Sequence, residues 1–130
     1  ARERWDTRLA QAILATLRLA STAGFVPDRV DEAPFERGGG WEPHFRGAGV
    51  SLSPHYQGYS HALFLRAHAL GGEAVFRDRA RAGLRRLVES HASGWNCANG
   101  RLSLEEARIL LPLAWLVRAD DRPEHRAWLT

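Results

Sequence analysis

Residues 53–80 read SPHYQGYSHALFLRAHALGGEAVFRDRA, and this stretch decides the fold. Ser53-Pro54 opens a helix: serine is a preferred cap, and proline suits the first helical turn, where its missing N–H would have no partner anyway. Tyr56, Tyr59, Leu63, Ala67 and Leu70 recur at steps of three and four, which predicts one apolar helical face. Gly71-Gly72 stops the helix and Glu73 starts the next, whose stripe is Phe76, Ala80, Leu84, Leu87 and His91. Two helices joined by so short a turn are antiparallel neighbours.

On the N-terminal side, residues 2–23 place Trp5, Leu9, Ile13, Leu17 and Ala20 on a further helical stripe, and Gly24 follows where a helix commonly stops. Residues 24–53 differ in character. Pro27, Pro34, Pro43, the run Gly38-Gly39-Gly40, Gly47 and Gly49 forbid any long regular element. Phe25, Phe35, Trp41 and Phe45 make the segment too aromatic for a disordered linker, so an ordered, functional loop is expected.

On the C-terminal side, a second loop carries Trp95-Asn96-Cys97-Ala98-Asn99-Gly100. Ser103 with Glu106 reads as a capping box. The helix it would open, residues 107–119, is apolar nearly all round (Ile109, Leu110, Leu111, Leu113, Trp115, Leu116, Val117), which predicts cover on most sides. Pro112 inside it is expected to kink the helix or remove one hydrogen bond. Asp120-Asp121 makes another tight turn, and Asp121 with Glu124 is expected to cap a last helix from Arg122.

Composition bounds the function. The 130 residues are 45% hydrophobic and 25% charged, which fits a single folded helical domain over residues 1–130. No run of about eighteen apolar residues offers a membrane span, and no targeting pattern opens the chain. All 18 basic residues are arginine, and the net charge is only +3. They are spread along helices beside acidic residues, so no nucleic-acid-binding stripe is expected. A single cysteine, Cys97, cannot form an intrachain disulfide and fits a reducing compartment such as the cytoplasm.

The capped helices begin near Pro54 and Leu104, a repeat of about fifty residues, longer than the ~34-residue tetratricopeptide or ~33-residue ankyrin unit. At these residues the sequence resembles the six-hairpin glycosidase superfamily. The stretch from Ser53 through His55-Tyr56-Gln57-Gly58-Tyr59, Gly71-Gly72 and Phe76 looks like one inner-helix, short-turn, outer-helix unit. Leu113-Ala114-Trp115-Leu116-Val117-Arg118, Asp120-Asp121 and Glu124-His125-Arg126-Ala127-Trp128-Leu129 look like the next. The resemblance implies an all-α segment of an (α/α) toroid with long aromatic-rich loops on one face, and a carbohydrate ligand in a cleft those loops line. It also implies that the rest of the ring comes from further chain or from a homo-oligomer, and it calls for no cofactor.

Glycoside hydrolysis needs two carboxyl groups, one protonated and one ionised. In the first loop Glu42, held between Trp41 and Pro43, is the favoured candidate, with Asp31 or Glu36 as its partner. The alternative is that these are solvated carboxylates pairing with Arg29, Arg37 and Arg46. Trp41 and Trp95 either stack on sugar rings or plug the core beneath their loops. His44 and His55 suit hydrogen bonding to sugar hydroxyls, and Tyr56 and Asn96 complete the expected substrate-binding set. His44, His55 and His61 lack the i, i+4 spacing of a helical metal pair, so no metal is expected. His68 and His91 read as packing residues, and Cys97 has no adjacent base that would make it a nucleophile. Gly38-Gly39-Gly40 is a hinge rather than a phosphate loop, since no Lys-Ser/Thr follows. Two readings stand beside the enzyme: a helical-hairpin protein-interaction module without catalysis, and an inactive fragment of a larger enzyme.

Overall fold

The computed structural model describes residues 2–20, 24–25, 52–92, 95 and 102–130. All regular structure among these residues is α-helical: α1 (Arg2–Leu19), α2 (Pro54–Gly71), α3 (Ala74–His91), α4 (Leu102–Ala119) and α5 (Pro123–Ala127).

The α2–α3 hairpin forms as the Gly-Gly turn predicts. Gly72 sits at φ 77°, a left-handed conformation that a side chain would disfavour, and its N–H donates to the His68 carbonyl at 2.7 Å. Phe64 and Phe76 pack near the turn with ring centroids 6.1 Å apart. His61 meets Gly83 further from it, which fixes the antiparallel register. On α3, Phe76, Ala80, Leu84 and Leu87 are buried, while His91 lies exposed at the end of the helix.

The stripe expected on α2 holds at Ala67, which is buried, and is corrected at Tyr59 and Leu70. Tyr59 is 70% and Leu70 68% exposed, whereas Gln57, His61, Phe64 and Leu65 are buried. The physical reason is that α2 packs against α1, α3 and α4. A helix covered on several sides, with small or apolar residues around most of its circumference, gives its hydrophobic pattern little phase. The side chains of Tyr56 and Trp5 lie outside the described residues.

Helix α4 runs parallel to α2, and the two keep one register along their length. Glu105 meets Ser53 and His55, 52 and 50 positions earlier. A β-carbon on Gly58 would lie 3.1 Å from the Arg108 carbonyl oxygen, so the absence of a side chain there lets the backbones approach. Farther along, Leu65 and Ala69 share a groove with Trp115 and Ala119. The core joins Phe64, Leu65, Leu84 and Leu87 to Ile109, Leu113 and Leu116, closed by Phe25 and Trp95.

Other local expectations shift. Helix α1 ends at Leu19 rather than Ala23. The chain then turns through Gly24, at φ 85°, where a β-carbon would overlap the Arg79 carbonyl of α3. Ile13 and Leu17 pack on the core, but Leu9 is 53% exposed. Ser53 occupies the N-cap of α2 without a side-chain hydrogen bond to its own helix, although its carbonyl accepts the Gln57 N–H at 3.1 Å. Helix α4 begins at Leu102, which puts Ser103 inside the helix rather than at its cap, and Glu106 pairs with His91 at 3.2 Å instead of closing a capping box. Pro112 lies within α4 and is fully buried.

Among the described residues, the cover predicted for most sides of α4 is not found. Its buried side is Glu105, Ile109, Leu113 and Leu116, while Leu104, Leu110 and Leu111 are exposed. Nor does Asp121 with Glu124 cap α5: Arg122 is the N-cap. Asp121 forks onto Arg126, and Glu124 pairs with Arg85 at 3.1 Å.

Candidate functional site

Parallel α2 and α4 begin at the same end of the described structure, and in sequence each follows one of the long loops. Glu105 ties the two starts together. Its carboxylate is only 5% exposed; Oε2 accepts the Ser53 hydroxyl at 3.0 Å and the His55 backbone N–H at 2.6 Å. Oε1 accepts Arg108 from the next turn. A buried carboxylate without donors is strongly disfavoured, and here three donors meet it. An anion at the first turn of α2 also satisfies N–H groups that the helix leaves unpaired. Glu105 therefore caps a helix that starts fifty residues earlier, and it holds the His55 backbone with the side chain exposed at the opening.

Beside it, His91 and Glu106 form a half-exposed pair with Nε2 and Oε1 3.2 Å apart. The His91 ring lies edge-on to Trp95, centroids 4.7 Å apart at 64°. Trp95 is 8% exposed and belongs to the core; its Nε1–H donates to the Leu87 carbonyl at 2.9 Å. Trp95 therefore packs into the core through its ring and hydrogen-bonds through its indole N–H. The chemistry open to this end is hydrogen bonding through the exposed His55 and His91 side chains. Glu105, with both oxygens engaged, serves as a brace.

Two further histidines are buried, one on α2 and one on α5. His61 is fully buried with neither ring nitrogen hydrogen-bonded, beside the Phe25 ring at 6.2 Å. Burial pushes its pKa down to about 4. His125 directs Nδ1 at the Asp120 carbonyl at 2.6 Å and packs on Trp128. Burial opposes ionisation of Asp120, but the Arg122 hydrogen bond and the charges of Arg122, His125 and Arg81 outweigh it and hold that carboxyl below its ordinary range.

Among the expected site residues, His55 and Trp95 fall within the described residues, and both lie at the loop end. Glu42, Asp31, Glu36, Trp41, His44 and Asn96 lie outside the described residues, as do the Tyr56 side chain, Cys97 and the Gly38-Gly39-Gly40 run. Of the two histidines read as packing residues, His68 is half-buried with Nδ1 3.1 Å from the Glu73 carbonyl, while His91 is exposed and paired. Sequence reasoning missed Glu105, because the Ser103 spacing drew attention to the neighbouring Glu106.

Among the described residues no three His, Cys, Asp or Glu side chains gather as metal ligands, and no helix is long and apolar enough to cross a membrane. No protein-family model, curated protein or solved structure matches the chain.

Proposed function

We propose that this chain is a segment of a carbohydrate-active (α/α) toroid enzyme of the glycoside hydrolase type. Its loops at the shared start of α2 and α4 would carry the chemistry: Glu42 with Asp31 or Glu36 as the carboxyl pair, and Trp41, His44, His55, Tyr56 and Asn96 as glycan contacts. The observation that supports this reading is the bond of Glu105 to Ser53 and His55. It sets α2 and α4 side by side and parallel, one fifty-residue repeat apart, which is how successive inner helices of a toroid stand. The short Gly-Gly and Asp-Asp turns then fall at the opposite end from the long loops.

The test is hydrolysis of a panel of aryl glycosides and oligosaccharides, on wild type and on Glu42→Gln, Asp31→Asn and Glu36→Gln. Loss of turnover by orders of magnitude in Glu42→Gln, with folding intact, supports the assignment. Unchanged turnover in all three variants of an active preparation removes it.

A second reading, a hairpin module that binds another protein without catalysis, is favoured by one observation. Leu104, Leu110 and Leu111 on α4 and Tyr59 and Leu70 on α2 leave large apolar side chains in solvent. It predicts a well-folded chain with neither hydrolysis nor glycan affinity at the loop end.

A further inference from the structure

At the opposite end of α2 and α4 from the loops, a groove of about 290 Å³ lies between the two helices. Leu65 and Ala69 contribute apolar surface, Trp115 a half-buried indole, and Arg66, Arg118 and His68 the polar groups. Arg77, Arg81, Arg85, Arg108, Arg122 and Arg126 each meet a carboxylate. Among the described residues neither Arg66 nor Arg118 does, and both are exposed. Arg4, Arg8, Arg18 and Arg86 share that state among the described residues, but only Arg66 and Arg118 line this groove. Two uncompensated guanidiniums, one from each helix bounding the groove, make a local field that draws an anion.

The remaining groups narrow the ligand. An indole in a groove offers a flat apolar surface for a ring. The Nδ1 of His68 lies 3.1 Å from the Glu73 carbonyl oxygen. A carbonyl only accepts, so Nδ1 carries the proton of the neutral ring and Nε2 is left as an acceptor for a hydroxyl. A volume near the lower end of ligand pockets suits one ring rather than an extended chain. Helix-dipole stabilisation accounts for a cation such as Arg118 in a last turn, but not for a second, Arg66, lining the same groove as a tryptophan.

We propose that this groove binds a carboxylate-bearing sugar ring of the uronate type. The carboxylate meets Arg66 and Arg118, the C–H face of the ring lies on Trp115, and a ring hydroxyl donates to Nε2 of His68. The site uses none of the loop residues, so it stands or falls separately from the glycosidase reading.

The experiment is a calorimetric or ligand-observed NMR titration of the chain with sodium glucuronate, with glucose and sodium benzoate as comparison probes at equal ionic strength. Glucuronate is expected to bind in the roughly millimolar range typical of a single small ring, and glucose at least about tenfold more weakly. Arg66→Gln and Arg118→Gln are each expected to lower glucuronate affinity about tenfold. Arg66→Lys, which keeps the charge but loses the fork, falls between wild type and the glutamine variant. Both arginines are exposed and unpaired, so the variants keep the fold, which circular dichroism verifies. A role limited to helix stabilisation lowers Tm and leaves glucuronate affinity where it was. That outcome overturns the proposal, as does equal binding of glucose and glucuronate, or of benzoate and glucuronate.

Discussion

The imidazole of His61 fills the space in front of Gly83, so that a β-carbon on Gly83 would overlap its Cε1 atom. Helices α2 and α3 pack across this contact, with His61 fully buried and Leu84 and Leu87 beside it in the core. Gly83→Ala is therefore expected to destabilise the chain by about 1–3 kcal/mol, the usual cost of overpacking. Combining it with His61→Ala relieves the overlap, so the double variant is less destabilised than the two single effects added. Urea unfolding of the four proteins measures this, and strict additivity would show that the two residues do not share the space.

Acid sensitivity follows from the same histidine. Burial lowers the pKa of His61 from 6.5 to about 4, so the unfolded chain takes up a proton there at a higher pH than the folded one. The stabilisation from the buried neutral ring is present above pH 6.5. It declines as the pH falls toward 4, where the accumulated loss reaches about 3 kcal/mol. Unfolding free energies at pH 7, 5.5 and 4.5 are expected to fall steadily in wild type, and the fall is expected to be much smaller in His61→Gln. Equal pH dependence in the two proteins would assign the sensitivity to other groups.

How far the sequence carried the fold can be argued from particular helices. Helix α3 alternates a clear apolar stripe with arginines, and Phe76, Ala80, Leu84 and Leu87 are buried as that stripe requires. The Gly71-Gly72 turn was equally legible, because chain direction there depends on local chemistry alone. Helix α2 was not, since burial on several sides sends Gln57 and His61 inward with Phe64, a choice made by the neighbouring helices. The cap of α2 was hidden for a related reason: its acceptor, Glu105, lies fifty residues away, beyond any local capping rule. At the loop end, His55 and Trp95 could be placed by reading where the long loops fall, but the core position of Trp95 depends on the Leu87 carbonyl it reaches.

Glu105 should be among the residues least tolerant of change at the loop end. Glu105→Ala removes the acceptor for Ser53, His55 and Arg108 at once, leaving buried donors unmatched. The expected loss is roughly 3 kcal/mol. Glu105→Gln keeps an oxygen for the α2 start and should lose less than half as much. Chemical denaturation provides the comparison. An alanine variant as stable as wild type would mean that the two helix starts are held together by other contacts.

Trp95 allows packing and ligand roles to be separated in one substitution. Phenylalanine keeps an aromatic plug over Leu87 and an edge contact for His91, but it loses the indole N–H that reaches the Leu87 carbonyl at 2.9 Å. That carbonyl retains the Ser90 hydroxyl at 2.8 Å, so it is not orphaned. The cost is the lost bond plus the missing ring volume, about 1–2 kcal/mol in all. With the ring only 8% exposed, Trp95→Phe is expected to lower Tm and leave glycan affinity at the loop end unchanged. A Trp95→Phe protein with wild-type Tm but weakened glycan binding would reverse the assignment and make the indole a sugar contact.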